Sequence, residues 1–412
     1  MYRCKEPAVL VRITGRAPIQ ATVYALERLR CNLCGEVFTA EAPEGAGPAE
    51  WDEEAKSTVG MLRYGAGFPF NRLAQFQKNL GIPLPASTQW AMVNEGVETM
   101  EPAFEELLRQ GAQGEILHND DTSARIQEFV RNGREREQSE EVDDSRERSG
   151  MFTSGIVSIV QERKIALFFT GQQHAGENLR DVLLKRADGL QPPLQMCDGL
   201  SRNEPDLPEE FEVILSNCNV HARRQFVDVA NQFPEECRHV LEVFRDAIIT
   251  TKKARLQGMT AGERQAFHKA ESSPRMDPLK SWMAEQLDEK KVEPNSGPGK
   301  AIKYKQKRWD QLTRFLEMPG APPDNNIAER ILKKVILSRK NSYFYKTARG
   351  AHAGDVYMSL IHTAELANEN PFDYLTQLQK HSKEVKGNPP QWMPWNYRGT
   401  INRIEAAKES QE

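Results

Sequence analysis

The sequence predicts an α/β protein: a mixed β-sheet, a long helical insertion and a closing helical block. Three observations carry this. Between residues 115 and 197 the apolar pattern gives successive strands, then a helix and a further strand, which suggests a mixed sheet. Residues 219–317 are instead mostly helical and highly charged. The 412 residues, 39% hydrophobic and 28% charged, supply a sizeable core and exclude a chain disordered throughout. Their number suggests about two to three domains.

Residues 1–40 alternate as short strands do, at 9–13 and 21–24, followed by the knuckle 30–35. Cys31-x-x-Cys34 sits in that knuckle. It suits metal or redox chemistry, because six cysteines in 412 residues make no disulfide scaffold. A linker rich in Gly, Pro, Ala and Glu occupies 41–55. Residues 56–110 read as helical: Leu73, Phe76, Gln77 and Leu80 lie along one face, and Gly81 ends that helix. Pro83 and Pro85 keep the next stretch extended, and Ser87 or Thr88 caps a helix over 89–100. Two helices about a tight glycine-containing turn resemble a helix-turn-helix unit, although simple helix packing is the commoner origin of such spacing.

Residues 111–218 hold the first part of the sheet domain. Strands are expected at 115–122, 123–130, 152–160 and 164–170, then a helix at 177–187 and a short strand at 193–197. The stretch 133–150 carries both charges densely with almost no apolar residue, and reads as a solvated loop. The insertion, 219–320, is broken near Pro274, Pro278 and 294–299. Cys218-x-x-His221 opens it; Cys237 and His239 offer two more ligand-type side chains at irregular spacing, and core packing is the simpler role for all four. Residues 321–412 hold the last helical block, 325–378, and an aromatic tail at 391–397.

Charge and patterning bound the function. A net charge of −4, from 55 basic and 59 acidic residues, rules out a uniformly basic protein, so any nucleic-acid surface is local. No apolar run approaches the ~18 residues of a membrane span, and the first fifteen residues lack a secretory apolar core. An intracellular protein without a membrane partner is expected. The local surface is residues 300–349, where 13 Lys or Arg stand against 4 Asp or Glu, with Tyr304, Trp309, Tyr343, Phe344 and Tyr345 among them. Basic side chains neutralise phosphates and aromatics stack on unpaired bases; the plainer reading is a solvated face over buried aromatics. Arg330, Lys333, Lys334, Arg339 and Lys340 adjoin the acid Glu329 and are read as DNA contacts, the aromatics as core.

Three acids stand out. On the expected strand 115–122, His118, Asp120 and Thr122 share one face and Asp121 points to the other, so only one aspartate of the pair enters a given site. Asp198 follows the strand 193–197. Glu329 falls in or just beyond the first turn of a helix that Asn325 or Asn326 can cap. Acids from two strand ends and one helix suit a two-metal phosphoryl-transfer site, because Mg²⁺ takes hard oxygen ligands. Two such ions about 3.5–4 Å apart activate an attacking oxygen and stabilise a leaving one. Taken singly, each acid is more simply a turn former or a helix-start residue.

The segments LHNDDTSARI, LQMCDGL, CNVHARRQF, PPDNNIAERILKKVILSRKNSYFY and WMPWNY together resemble transposases of bacterial insertion sequence family 66. The resemblance runs from about Cys31 to the tail. It is most specific where Asn326, Glu329, Arg330, Arg339, Lys340 and Asn341 stand in family-like positions. It implies a ribonuclease-H-like catalytic domain with a DDE triad of Asp120, Asp198 and Glu329; the family pattern H-x-D-[DE]-T, not strand geometry, selects Asp120 over Asp121. It implies two Mg²⁺ ions, cleavage of a mobile element's ends and attack of the freed 3′-hydroxyl on target DNA. The implied partners are double-stranded DNA carrying terminal inverted repeats, target DNA, further copies of the chain on DNA, and accessory proteins of the same element, at the nucleoid in the bacterial cytoplasm.

The family's N-terminal zinc-binding region has two Cys pairs. Here only Cys31 and Cys34 are paired, with Cys4 a lone upstream thiol, short of the four ligands a tetrahedral Zn²⁺ needs. A partial zinc ribbon, from a start part-way through it, and a metal-free hairpin both stay open. So do two other functions: a catalytically silent DNA-binding remnant, and a ribonuclease-H-like nuclease that cuts without joining. The triad alone does not separate cutting from joining.

Overall fold

The computed structural model describes residues 17–44, 46, 47, 49–131 and 150–410. The strand expected at 9–13, Cys4, and all but Gly150 of the charged stretch 133–150 lie outside the described residues. The knuckle is a small antiparallel hairpin of β1 (Arg28–Arg30) and β2 (Val37–Thr39). Its turn is closed by Gly35 N–H on Cys31 O at 2.9 Å and Cys31 N–H on Glu36 O at 2.8 Å. Residues 21–24, expected as a strand, belong to none. Both strands are fully exposed, so the hairpin offers no covered face for a third to join.

Helix α1 (Glu53–Gly60) starts at Asp52, whose carboxylate accepts from Ala55 N–H at 2.7 Å. In α2 (Phe70–Asn79) Leu73 and Gln77 are buried but Phe76 is exposed, as is Leu80 just beyond it, so the buried stripe is narrower than the pattern suggested. Gly81, at φ +80°, stops the helix as expected. Helix α3 (Ala86–Gly111) is longer than expected. Pro85 takes the N-cap position instead of Ser87 or Thr88, and Pro102 lies inside. The buried stripe Met92, Val93, Met100, Ala103, Phe104 and Leu107 continues past the proline. Burying several such side chains, at about 1.5–3 kcal/mol each, outweighs a helical proline's cost of ~3 kcal/mol.

The sheet has five strands: β3 (Ile116–Ser123), β4 (Phe152–Val160), β5 (Arg163–Gly171), β6 (Leu194–Cys197) and β7 (Ile214–Asn217). Their order is β5-β4-β3-β6-β7; β3, β4 and β5 are antiparallel in succession, while β6 and β7 run parallel to β3. The mixed sheet is as predicted, with two corrections. Residues 123–130 do not form a second strand: Ser123 ends β3, 127–131 are helical, and Ile126 makes an isolated bridge to Tyr345. Tyr345 N–H bonds Arg125 O at 2.8 Å and Gln127 N–H bonds Tyr345 O at 2.9 Å, so a distant segment takes up that pairing. The second is β7, four residues long like β6, where no strand is expected from the sequence.

Two helices cross opposite faces beside the centre. α4 (Ala175–Leu183) lies over Ser154, to which Asn178 donates at 2.8 Å. α11 (Asn326–Ser342) lies over the next residue, Gly155, where an added Cβ would come within 3.0 Å of Leu332. The edge strand β5 is covered by α12 (Ala348–Leu366). Thr363, Ser359 and Asp355 recur every four residues, a rise of about 6 Å, and so match every second strand residue. Their oxygens accept from the backbone N–H groups of Ala166, Phe168 and Thr170 at 3.0, 3.0 and 2.8 Å, which satisfies an otherwise open edge.

One apolar cluster joins α1, α3, the sheet, α11, α12 and α13 (Pro371–Lys380), and takes in Trp392, Met393 and Tyr397 of the tail. A second lies within the insertion, built by α5 (Asn219–Val227), α6 (Pro234–Leu256), α8 (Ser273–Asp288), α9 (Gly297–Lys307) and α10 (Trp309–Glu317), with α7 (Ala261–Glu271) packed on α6, α8 and α10. Pro274 starts α8 as expected; Pro278 lies inside α8 and does not break it. No helix among the described residues is long and apolar enough to cross a membrane.

Candidate active site

β3 and β6 are parallel, with His118 opposite Met196. Two residues further along each chain stand Asp120 and Asp198. Asn203, in the turn after β6, donates its amide to both: 2.7 Å to Asp198 Oδ1 and 3.5 Å to Asp120 Oδ1. The two carboxylates therefore flank a single nitrogen. Asp198 Oδ1 also accepts from Leu200 N–H at 3.0 Å. Gly199 between them adopts φ +79°, and a Cβ there would come within 2.9 Å of both Arg308 Nε and Tyr304 Oη. Those two side chains, from α9 and its C-terminal end in the insertion, grip the same loop. Tyr304 Oη donates to Asp198 O at 2.7 Å, and Arg308 donates to Gly199 O through Nε at 3.2 Å and Nη2 at 2.9 Å.

Glu329 lies in the first turn of α11, as expected. Asn325 occupies the N-cap position, but its side chain does not cap. It is buried against β3, where Nδ2 donates to Asn119 O at 3.0 Å and Oδ1 meets His118 Nδ1 at 3.0 Å. The strand's unpaired carbonyl and imidazole claim the amide that helix capping would otherwise use. An amide oxygen only accepts, so His118 carries its proton on Nδ1. Burial pushes this imidazole down to about 4, so it is neutral. The capping role at Asn326 falls to Asp324, whose Oδ1 accepts from Asn326 N–H at 3.0 Å.

The site concentrates negative charge. Burial, then the charge of Asp198, pushes the Asp120 carboxyl up to about 7; Asp121 and Glu329 add to this, while Asp121 N–H at 2.8 Å works against it. Glu329 Oε1 is buried without a hydrogen-bond partner. Hard oxygen donors, mutual repulsion and an unsatisfied carboxylate oxygen fit a divalent cation such as Mg²⁺. Asp121 stands apart: its side chain is 2% exposed, bonded to His174 Nδ1 at 2.8 Å and 3.5 Å from Arg202. The strand alternation read from the sequence is thus the observed one.

The five basic residues divide. Arg330, Lys333 and Lys340 are exposed at helical spacing along one stripe of α11. Lys334 is engaged with Glu365 and, at 3.2 Å, with His362. Arg339 fastens α11 to the end of β3: it donates to Ser123 O, to Ser123 Oγ at 2.6 Å and to Thr122 Oγ1 at 3.2 Å. Among the aromatics Trp309 is buried as expected, but Tyr343 is 69% exposed and Phe344 is exposed too. Tyr343 takes φ +63° at the end of α11, which turns this segment outward.

Cys34 is exposed and Cys31 half-buried; the N–H groups of Cys34 and Leu33 hold the Cys31 thiol below its usual range. Neither belongs to a group of three ligand-type side chains among the described residues. Cys237 is buried in the insertion's core and His239 packs at a tilt against Trp282 with ring centroids 4.9 Å apart, so these two do not complete a set with Cys218 and His221. Asn203, Tyr304 and Arg308 were not legible as site residues. A turn asparagine and a helical Tyr and Arg carry no distinguishing spacing.

Residues 50–353 match the family described as "Transposase IS66 family". Among curated proteins the chain is 32% identical over 190 residues to the uncharacterized protein y4jD of Sinorhizobium fredii, covering 45% of this chain and 36% of that protein. It is 24% identical over 372 residues to the uncharacterized protein y4hP of the same organism, covering 85% and 63%. A third relative there, the uncharacterized protein y4qI, is 28% identical over 193 residues, covering 45% and 34%. The chain thus spans between about a third and under two thirds of the length of these relatives.

Proposed function

The chain belongs to the IS66 family of transposases, and from that premise we propose that it cuts DNA at the ends of a mobile element and joins the freed 3′-hydroxyl to target DNA. The observation that carries this reading is the convergence of Asp120, Asp198 and Glu329 from β3, the loop after β6 and the first turn of α11, with Asp120 pushed up to about 7 by burial and its acidic neighbours. The strand order, with the first acid on the central strand between an antiparallel and a parallel pair, supports a ribonuclease-H-like reading of the sheet.

Asp120, Asp198 and Glu329 would hold Mg²⁺, two ions by the chemistry of the reaction. When bound, the metal polarises the scissile phosphate, activates the attacking oxygen and stabilises the leaving one. The chain's own groups do the positioning. Asn203 fixes the two aspartates against each other, Asp121 N–H orients Asp120, and Tyr304 with Arg308 holds the loop of Asp198. Arg330, Lys333 and Lys340 line the surface beside Glu329 along which a phosphate backbone passes. Lys334, paired with Glu365, and Arg339, bonded to the end of β3, tie α11 to its neighbours.

On this reading residues 111–218 and 321–412 are two parts of one catalytic unit, split by the insertion 219–320. Residues 56–110 are a helical, DNA-binding-like region, reached by the linker 41–55. Residues 1–40 are a partial zinc-ribbon-like segment, in which Zn²⁺ at Cys31 and Cys34 stays open. The partners are element ends with terminal inverted repeats, target DNA, further copies of the chain and accessory proteins of the element, at the bacterial nucleoid.

The test uses Asp120→Asn, Asp198→Asn and Glu329→Gln, which keep shape and remove charge. Each is expected to abolish Mg²⁺-dependent cleavage of labelled element-end duplexes while DNA binding persists. Undiminished cleavage in any one of them removes that residue from the triad. Binding without cleavage in the wild type favours the silent remnant.

A further inference from the structure

Cys218, His221 and Glu329 are the one group of three ligand-type side chains that can hold a metal ion among the described residues, and the proposed reaction uses only the last. Cys218 follows β7 at the N-cap position of α5, His221 lies in the first turn of that helix, and Glu329 arrives from α11. Their ligand atoms all lie within 4.8 Å of one another.

Two atoms of this group are unsatisfied. His221 Nδ1 and Glu329 Oε1 face each other at 3.7 Å, beyond hydrogen-bond reach. Both atoms are buried and neither has another hydrogen-bond partner. A buried polar atom left unpaired is costly, so two of them across a gap mark a place for a bridging group. The thiol of Cys218 closes the triangle. It is buried and already accepts from Asn325 N–H at 3.2 Å, the kind of outer contact that orients a metal-bound thiolate.

The donor set decides which group. Mg²⁺ takes oxygen, whereas a thiolate, an imidazole and a carboxylate together suit borderline-soft Zn²⁺. Metal–ligand bonds of about 2.0–2.2 Å at tetrahedral angles place neighbouring nitrogen and oxygen ligands roughly 3.3–3.5 Å apart, and the imidazole and carboxylate here, at 3.7 Å, need close by only a few tenths of an ångström. We propose that Cys218, His221 and Glu329 form a Zn²⁺ site with its fourth position open. Zn²⁺ in it takes Glu329 away from Mg²⁺. That consequence rests on the proposed function, whereas the binding itself does not.

The experiment uses the full chain with Cys4, Cys31 and Cys34 changed to Ser, so that the N-terminal thiols contribute nothing. The metal-free protein is titrated with Co²⁺, and then with Zn²⁺ against a chromophoric chelator, in millimolar Mg²⁺. One equivalent of Co²⁺ is expected to give a thiolate-to-metal charge-transfer band that is absent in Cys218→Ser. Zn²⁺ affinity is expected to fall at least about 100-fold in Cys218→Ser and in His221→Ala, since even loss of an outer contact costs 10–100-fold. Circular dichroism checks that each variant folds. If Cys218→Ser does not fold, the half-buried His221→Ala decides alone, and an unchanged Zn²⁺ affinity there overturns the proposal. So does the absence of Zn²⁺ binding in the folded parent. Intact Zn²⁺ binding in a protein that never cleaves DNA overturns the proposed function and leaves this site standing.

Discussion

The phenol of Tyr304 donates a hydrogen bond to the backbone carbonyl of Asp198 at 2.7 Å, across 106 residues of sequence. A side chain of the helical insertion therefore holds the loop that delivers the second acid. Burial pushes this phenol up to about 12, so it stays a donor throughout the neutral range. Tyr304→Phe is expected to slow single-turnover cleavage about 3- to 10-fold, the worth of one hydrogen bond, with DNA affinity unchanged. Adding Arg308→Met, which frees Gly199 O as well, deepens the loss. A lower melting temperature with no change in the cleavage rate would assign Tyr304 to packing alone.

The Asp120 carboxyl predicts a stability that depends on pH. Its folded-state value is raised to about 7 from 3.8, so the folded chain binds this proton more tightly than the unfolded chain does. The resulting stability is full below pH 3.8 and is lost as pH rises through 7. Asp120→Asn is therefore expected to be more stable than the wild type at pH 8, by at most about 4 kcal/mol. The gap closes toward pH 4, and millimolar Mg²⁺ narrows it at pH 8 by stabilising only the wild type. Denaturant titrations at the two pH values, with and without Mg²⁺, measure this; a gap that ignores both would separate Asp120 from any cation site.

The division among the basic residues of α11 is open to a salt-dependence measurement. Arg330→Ala, Lys333→Ala and Lys340→Ala are each expected to reduce the slope of log affinity for duplex DNA against log salt by about 1. Lys334→Ala, which loses its pairing with Glu365, is expected to leave that slope unchanged. Equal effects at all four positions would contradict the division.

Lys305 is a buried amine without a partner. Its Nζ makes no hydrogen bond and lies 3.5 Å from the centre of the Phe244 ring, and burial holds it well below its usual range. Lys305→Met is expected to stabilise the protein by about 1–3 kcal/mol at pH 7. The unfolded lysine binds the proton that the folded one refuses, so wild-type stability rises with pH and the gap narrows toward pH 10. Thermal melts across pH test both parts; a destabilised variant, or a gap that does not change with pH, would contradict this reading of Lys305.

The long strands were the most legible elements of the sequence. β4 and β5, nine residues each, and the face alternation of Asp120 and Asp121 were readable from periodicity. Of the two four-residue strands β6 was readable and β7 was not, and residues 123–130 looked like a strand because nothing local announces that Tyr345 is their partner. The acids were visible individually yet indistinguishable from turn and helix-start residues; sheet register and the packing of α11 on β3 bring them together. Asn325 or Asn326 was expected to cap, and Asn325 instead ties the helix to the strand. The spacing of Cys218 and His221 was readable, but the acid that joins them, Glu329, comes from another helix, while Cys237 and His239 were drawn into packing.

The central claim is that these acids join strands as well as cut them. Its most direct measurement is strand transfer: labelled duplexes bearing the element's own ends are incubated with target DNA and Mg²⁺, using the wild type and Asp198→Asn. The account predicts joined 3′-end products from the wild type and none from the variant at equal DNA binding. Joined products from both proteins, or cleavage by the wild type with no joined product, would contradict it.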